Sequence, residues 1–193
     1  MDVKFRRVSG FSVIELMITV AVAAIFATMA LPAMQDLIAR NKVSSEVNRL
    51  VADLLLARNT AITRSSFVTI CRSGDQVGCL TGPSSASRYD SGWMTYTSMF
   101  TRSIFNSGAA GNNLLKVGEV AAPQIEIRSV GTAAPSYVTY LPSGRTDPVG
   151  AGPIVLTICL NGQSTVRVPG RRLTLSTSGR PALRSMGVGA CNV

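Results

Sequence analysis

Apolar side chains follow two successive patterns in the first third of this chain. Residues 14–34 are almost continuously apolar, and the segment 11–35 contains a single charged side chain, Glu15. A run of this length can span a bilayer as a helix or be buried on every side. Over residues 43–61 apolar side chains then recur at spacings of three and four. The two patterns together predict one helix over residues 11–63 that is apolar all round at first and amphipathic afterwards.

The pattern changes to that of β-strands after the helix. Short segments rich in Val, Ile, Thr and aromatic residues alternate with Gly, Pro, Ser and Asn. The predicted strands are residues 67–72, 93–100, 125–130, 137–141, 154–160, 165–168 and 173–177. The Gly-, Ser-, Ala- and Asn-rich segment 103–113 is expected to be a mobile loop. We therefore predict an α+β protein in which the long N-terminal helix packs on a small antiparallel sheet or pair of sheets.

The composition argues against several classes of chemistry. The chain has 193 residues, with 19 Lys and Arg against 10 Asp and Glu, a formal charge of +9 and no histidine. Without histidine it lacks the commonest metal ligand and general base. Neither a Gly-x-Ser-x-Gly elbow nor a phosphate-binding loop occurs. We expect neither an enzyme nor a protein that depends on a metal or cofactor.

The segment before the apolar run is short, basic and ends in Gly10. The only small-residue junction lies here, whereas a secretory signal peptide would place it after the apolar run. Cleavage here removes three cations and one acid, a net +2 of the +9, and leaves +7 on a mature chain that keeps the apolar segment. Basic residues stay in the cytoplasm, so the chain beyond the anchor is predicted to be translocated. A lone acid in a membrane helix is costly, so Glu15 should have a purpose.

The four cysteines are even in number. Outside the cytoplasm they indicate two disulfides, for which three connectivities exist. We favour Cys71–Cys79, which closes a short loop at the end of a strand, and Cys159–Cys191, which would tie down the C-terminal tail. A zinc site is the competing interpretation, but there is no Cys-x-x-Cys pair and no histidine.

Gly10, Phe11 and Glu15 resemble the start of type IV pilins, whose leader ends in Gly and is followed by Phe, with Glu at the fifth mature position. The resemblance implies cleavage between Gly10 and Phe11 by a prepilin peptidase, N-methylation of Phe11, and assembly with other pilin subunits. Glu15 would then meet the amine of a neighbouring subunit's first residue. It also implies a single pass through the inner membrane with the head in the periplasm. The alternative is an ordinary membrane anchor, which leaves Glu15 unexplained.

The globular part resembles the FimT/GspH group of minor pilins and pseudopilins. The resemblance rests on the Gly92-Trp93 pair, the turn Leu141-Pro142-Ser143-Gly144-Arg145, and the segment Arg172-Leu173-Thr174-Leu175-Ser176 followed by Gly179-Arg180. It implies a pilin fold with a leader (1–10), a transmembrane or filament-core segment (11–35) and a head (36–193). The implied function is that of a minor pilin that assembles into a type IV pilus or primes it. The alternative is a GspH-like pseudopilin of a type II secretion system.

The C-terminal region is rich in arginine, a side chain suited to phosphate. The candidate DNA-binding residues are Arg167, Arg171, Arg172, Arg180 and Arg184. Some FimT-like proteins bind DNA through a C-terminal Gly-Arg-x-Arg motif; here Gly179-Arg180 supplies the Gly-Arg, and Arg184 follows two residues late. If Pro169-Gly170 joins two strands as a hairpin turn, Arg167 lies opposite Arg172, and an external anion would relieve their repulsion. The alternative is a solvated basic face or one that docks a neighbouring subunit.

Overall fold

A single helix, α1 (Val13–Thr63), begins the part of the chain that the computed structural model describes. The described residues are 11–80, 87–100, 105, 107, 111–130, 137–147, 152–160 and 168–187. The helix ends where the sequence pattern predicts and continues through Pro32. By the density of its contacts the chain divides into two compact units, Met1–Ile38 and Ala39–Val193.

The helical part of the first unit exposes apolar side chains all round. Phe11, Ile25 and Phe26 are 81%, 60% and 68% exposed, and none of the most apolar stretch of the helix is buried. Among the described residues α1 is the one helix long and apolar enough to cross a membrane. Exposed apolar surface on this scale needs lipid or other protein to cover it.

In the second unit the helix buries one stripe. Its buried apolar positions are Val43, Val47, Leu50, Leu54, Ala57 and Ala61, all at most 3% exposed. These positions alternate in spacing between four and three residues, so they lie on one face of a 3.6-residue helix. The stripe belongs to a single core cluster that also contains side chains of both β-sheets.

Nine strands in the described residues form two antiparallel sheets. The strands are β1 (Phe67–Arg72), β2 (Ser87–Arg88), β3 (Trp93–Ser98), β4 (Asn113–Gly118), β5 (Ile125–Val130), β6 (Tyr137–Tyr140), β7 (Ile154–Leu160), β8 (Arg171–Leu175) and β9 (Pro181–Ser185). Sheet A has the order β4-β3-β1-β6, and sheet B has the order β2-β5-β7-β8-β9.

Alternation along the strands of sheet B sets its two faces. Ile127, Leu156 and Leu173 belong to the core cluster that includes α1. Neighbouring residues on a strand point to opposite faces, so Arg128, Thr157 and Arg172 lie on the other face, which we call the outer face of sheet B.

Strands β1, β5 and β7 have the bounds predicted from the sequence. The hairpin predicted around Pro169-Gly170 is wrong, because β8 pairs with β7 on one side and with β9 on the other. Both edges of β8 are thus occupied. Residues 165–167 lie outside the described residues, together with most of the predicted loop 103–113. Strands β2, β4 and β9 were not predicted from the sequence, and Asn113 begins β4 rather than ending a loop.

Candidate functional site

The N-terminal candidates lie at the start of α1. Glu15 is in the first helical turn, and its carboxylate is exposed among apolar neighbours. Phe11 is described and exposed, whereas Gly10 lies outside the described residues. An acid at this position is favoured by the positive end of the helix dipole, but Glu15 has no cationic partner in the described part of the chain.

Cys71 and Cys79 form a disulfide with a Cα–Cα distance of 5.6 Å. The loop between them is held by Asp75, whose Oδ1 accepts hydrogen bonds from the backbone N–H groups of Val77 and Gly78, both at 3.0 Å. These bonds stabilise the carboxylate and lower the pKa of Asp75. The loop is therefore a compact, cross-linked projection at the end of β1.

Cys159, near the end of β7, is also disulfide-bonded. Its predicted partner, Cys191, lies outside the described residues, so the Cys159–Cys191 pairing stays a prediction. Disulfides persist in oxidising compartments, which is consistent with a head outside the cytoplasm.

The five candidate DNA-binding arginines do not form one cluster. Arg171 points toward α1, where it lines a small cavity of about 160 Å³ with Val47 and Asn48; part of Arg184 on β9 also lines this cavity. Arg172 lies on the outer face of sheet B, directly opposite Arg184 in the β8–β9 ladder. The predicted Arg167–Arg172 opposition is therefore wrong; the opposition exists, but with Arg184. Arg180 lies in the turn between β8 and β9, and Arg167 is outside the described residues.

A second pair of opposed arginines lies in the same row of the outer face. Arg88 on β2 is opposite Arg128 on β5, and Arg128 is opposite Thr157, whose other neighbour is Arg172. The row therefore runs across all five strands of sheet B, a distance of roughly 19 Å at ~4.8 Å per strand. Sequence reasoning missed Arg88 and Arg128 because their alignment with Arg172 depends on strand order.

Carboxylates neutralise the Arg88–Arg128 pair. Glu126 Oε1 lies 3.3 Å from Arg88 Nη1 and 2.5 Å from Arg128 Nη2. Asp90 adds an ion pair of 2.6 Å to Arg88 and, by hydrogen bonding, raises the pKa of that guanidinium. No acid pairs with Arg172 or Arg184 among the described residues.

Two turns with the same tripeptide, Ser-Gly-Arg, meet at the end of α1. In residues 141–145 the N–H of Leu141 bonds to the carbonyl of Arg145, and the N–H of Gly144 bonds back to Leu141. Residues 176–180 repeat this arrangement, with Ser176 bonded to Arg180 and Gly179 bonded back to Ser176. Both glycines have positive φ, +75° and +78°, which glycine adopts without a steric cost. We call these two segments the twin turns.

Arg58 of α1 fixes the twin turns to each other and to the helix. Its Nε donates to the carbonyl of Gly144 at 3.0 Å, and its Nη2 donates to the carbonyl of Ser178 at 3.4 Å. The turns touch so closely that a Cβ atom at Gly179 would overlap the carbonyl oxygen of Gly144. The exposed side chains of Arg145 and Arg180 follow these glycines. Both Gly-Arg pairs were noted in the sequence, but not the Ser-Gly-Arg tripeptide that they share. That repeat is the signal that could have indicated two equivalent turns.

The described residues include no group of three or more His, Cys, Asp or Glu side chains that could hold a metal ion. The described residues do bring forward one acid in the apolar helix, two arginine surfaces and a cross-linked loop. Such groups bind and orient other molecules.

The chain matches two sequence families. The model of the family described as "Type II transport protein GspH" matches residues 46–179, and that described as "Prokaryotic N-terminal methylation motif" matches residues 5–31. None of the curated proteins matches this chain.

Two kinds of solved structure are similar to it. The crystal structure of the type IV minor pilin FimU of Pseudomonas aeruginosa has 19% identity and a TM-score of 0.53, over 78% of this chain and 96% of that chain. The minor pseudopilin EpsH from the Type 2 Secretion System of Vibrio cholerae has 17% identity and a TM-score of 0.42, over 76% of this chain and 96% of that chain. At these identities the likeness to FimU indicates a common fold.

Proposed function

Because the chain belongs to the family of the type II transport protein GspH, and is thus a minor pilin or pseudopilin, we propose that it works as a minor subunit of a type IV pilus. It enters the filament or primes its assembly, together with other pilin subunits. The observation that carries the proposal is the exposed apolar half of α1 with a single acid, Glu15, in its first turn. A surface of this kind suits the inner membrane before assembly and a bundle of like helices afterwards.

The proposal includes processing at the N-terminus. A prepilin peptidase cleaves between Gly10 and Phe11, and the amine of Phe11 is methylated. Mass spectrometry of subunits recovered from filaments should find methylated Phe11 as the first residue. Recovery of chains that still begin at Met1 would contradict this step. A Gly10→Val variant should stay uncleaved, because a branched side chain would crowd the peptidase.

Glu15 is proposed to pair with the amine of a neighbouring subunit's first residue. Both charges would lie in an apolar filament core, where removing one partner of an ion pair is strongly destabilising. Glu15→Gln should be processed normally, yet its recovery in filaments should fall by about tenfold or more. Asp36→Asn is the matched control, since it removes one acid from the same helix and should assemble normally. Equal recovery of both variants would refute this role.

The alternative is a pseudopilus of a type II secretion system. A deletion strain separates the two, because a pilus subunit is required for surface filaments and a pseudopilin is required for release of secreted proteins. Loss of protein secretion with normal pili would favour the alternative. The disulfide-bonded head is proposed to lie in the periplasm, and alkylation of the intact chain should find no free thiol without reduction.

A second candidate function, contact with DNA, is supported by the twin turns. They place exposed Arg145 beside exposed Arg180, and Arg58 holds both turns in place. Arg171 is turned toward α1, and we therefore leave it out of the DNA contact. We assign to DNA the two exposed arginines of the twin turns, Arg145 and Arg180. Guanidinium groups would contact phosphate and give binding without sequence preference.

The salt dependence of binding tests this assignment. The mature chain in nonionic detergent should bind a short DNA duplex, and log affinity should fall with log salt by about 0.9 per phosphate contacted. Arg145→Ala with Arg180→Ala should flatten the slope by about two contacts. Lys42→Ala, an exposed cation at the other end of the amphipathic stretch, should leave it unchanged. An unaltered slope in the double variant would exclude the twin turns as the DNA site.

A further inference from the structure

We propose that the opposed arginines Arg172 and Arg184 bind an acidic side chain of a neighbouring subunit in the filament. The inference rests on the proposed function as a filament subunit and names a contact that it makes. The two residues face each other across the β8–β9 ladder, and both are exposed. Like charges directly across a ladder destabilise it, so a folded chain that retains this pair gains from an anion placed between them.

The other end of the same row shows how this fold accommodates two opposed arginines. Arg88 and Arg128 also face each other across a ladder, and the single carboxylate of Glu126 contacts both guanidinium groups. The two pairs lie on the same face of sheet B. Glu126 and Asp90 neutralise the first pair, whereas the β8–β9 pair has no carboxylate from the described chain. A carboxylate from outside would complete it in the same way.

Most of the pair's neighbours on the outer face, among the described residues, are small. Two residues along the β8–β9 ladder, Thr174 lies opposite Ala182. On the neighbouring strand β7, the residue opposite Arg172 is Thr157. All three are small and uncharged. Beyond Arg184, on the same side of the strand, Met186 just after β9 is the one large neighbour among the described residues, and it is apolar and buried. Strand β9 is the outermost strand of sheet B in the described chain, so no further described strand flanks Arg184. Two neighbouring guanidinium groups favour binding of a carboxylate, whose two oxygens can accept hydrogen bonds from both.

Reversal of one charge tests the contact, because its effects on folding and on assembly have opposite signs. Arg184→Glu places a carboxylate directly opposite Arg172 and so satisfies the pair internally. The melting temperature of the purified mature chain should rise by roughly 2 °C, as for a favourable cross-strand pair. Recovery of the variant in filaments should nevertheless fall by about tenfold, since the partner's acid now meets a like charge. Arg64→Glu, the same charge reversal at an exposed arginine directly after α1, is the matched control and should be recovered at the wild-type level.

Comparison with Glu15→Gln separates failure of this inference from failure of the proposed function. If Glu15→Gln is lost from filaments while Arg184→Glu is recovered normally, the arginine pair makes no subunit contact and the filament role stands. If both variants are recovered normally, both assigned contacts fail; only absence of the wild-type chain from filaments would refute the filament role. Loss of Arg184→Glu together with a lowered melting temperature would also overturn the inference, because unfolding would then explain the loss.

The chemical class of the partner is tested with two labelled probes at low ionic strength. The mature chain in nonionic detergent should bind an octaglutamate peptide about tenfold more weakly after Arg184→Glu, whereas binding of an eight-nucleotide oligothymidylate should change much less. Arg172→Lys with Arg184→Lys keeps the charge but loses the planar forks, and should weaken octaglutamate binding about threefold. The reverse order of sensitivity, with the oligonucleotide the more affected, would assign the pair to nucleic acid and overturn the proposal.

Discussion

Asp53 connects the helix to sheet A, and its removal should destabilise the head in a way that the structure lets us estimate. Its side chain is 1% exposed, and Oδ2 accepts a hydrogen bond of 2.7 Å from Nε1 of Trp93. Oδ1 forms an ion pair of 2.5 Å with Lys116, whose side chain is 44% exposed. The carboxylate thus joins α1 to β3 and β4 at a point where Trp93 is fully buried.

Asp53→Ala leaves the indole N–H buried without an acceptor, which costs about 1–3 kcal/mol. Lys116 can turn to solvent, so the lost ion pair adds no more than about 1 kcal/mol. We expect the free energy of unfolding to fall by about 2–3 kcal/mol in total. Asp53→Asn keeps an acceptor for the indole and should lose only about 1 kcal/mol.

The assay is urea unfolding of the mature chain in nonionic detergent, followed by the fluorescence of its single tryptophan. Trp93 is both the probe and the hydrogen-bond partner, so its emission reports the state of this site. Glu119→Ala, which removes an exposed acid just after β4, is the matched control and should change stability little. An Asp53→Ala variant within about 0.5 kcal/mol of the wild type would refute the reasoning. Equal losses for the Asn and Ala variants would show that the charge matters rather than the acceptor.

Three further predictions concern the head. Gly179→Ala should lower the melting temperature by several degrees, since its Cβ would overlap the opposite turn at a φ of +78°, whereas Gly187→Ala, with open space around it, should not. Burial raises the pKa of Tyr96 from 10.0 to about 12. The stability that the protonated phenol contributes is therefore fully present below pH 10 and is lost as the pH rises toward 12. A free energy of unfolding that stays constant over this range would contradict the prediction. Replacing Cys71 and Cys79 by Ser should cost about 2.5 kcal/mol in urea unfolding, from the loop entropy that the bond removes from the unfolded chain; an unchanged unfolding midpoint would contradict that.

The sequence was sufficient to predict the elements whose signal is local. The end of α1 at Thr63 and the bounds of β1, β5 and β7 follow from buried apolar periodicity within each element, and the predicted pilin fold is confirmed. Strand β9 escaped prediction because it begins at Pro181 and its other residues are exposed, so it lacks the alternation that marks a half-buried strand. Its existence depends on pairing with β8.

The arginine surfaces also depend on strand pairing, which a local sequence pattern does not reveal. The sequence predicted that Arg172 would oppose another arginine, but the turn signal at Pro169-Gly170 gave the wrong partner. The register that brings Arg184 to Arg172 is fixed by burial of Leu173 and Leu175 against the core, which a local turn signal does not contain. Arg88 and Arg128 join the row only through the strand order of sheet B, so no pattern in the sequence could have placed them there.

Strand β9 has a consequence for subunits that are not yet assembled. As the outermost strand of sheet B in the described chain, it presents a free edge on which another chain could add a strand and start an aggregate. Pro181 lacks the N–H that such pairing requires, and Arg184 places a charge on the same strand. Both features are used by natural sheets to keep edges apart. Arg184, which we assign to a contact with a neighbouring subunit, is therefore also expected to keep unassembled subunits from aggregating.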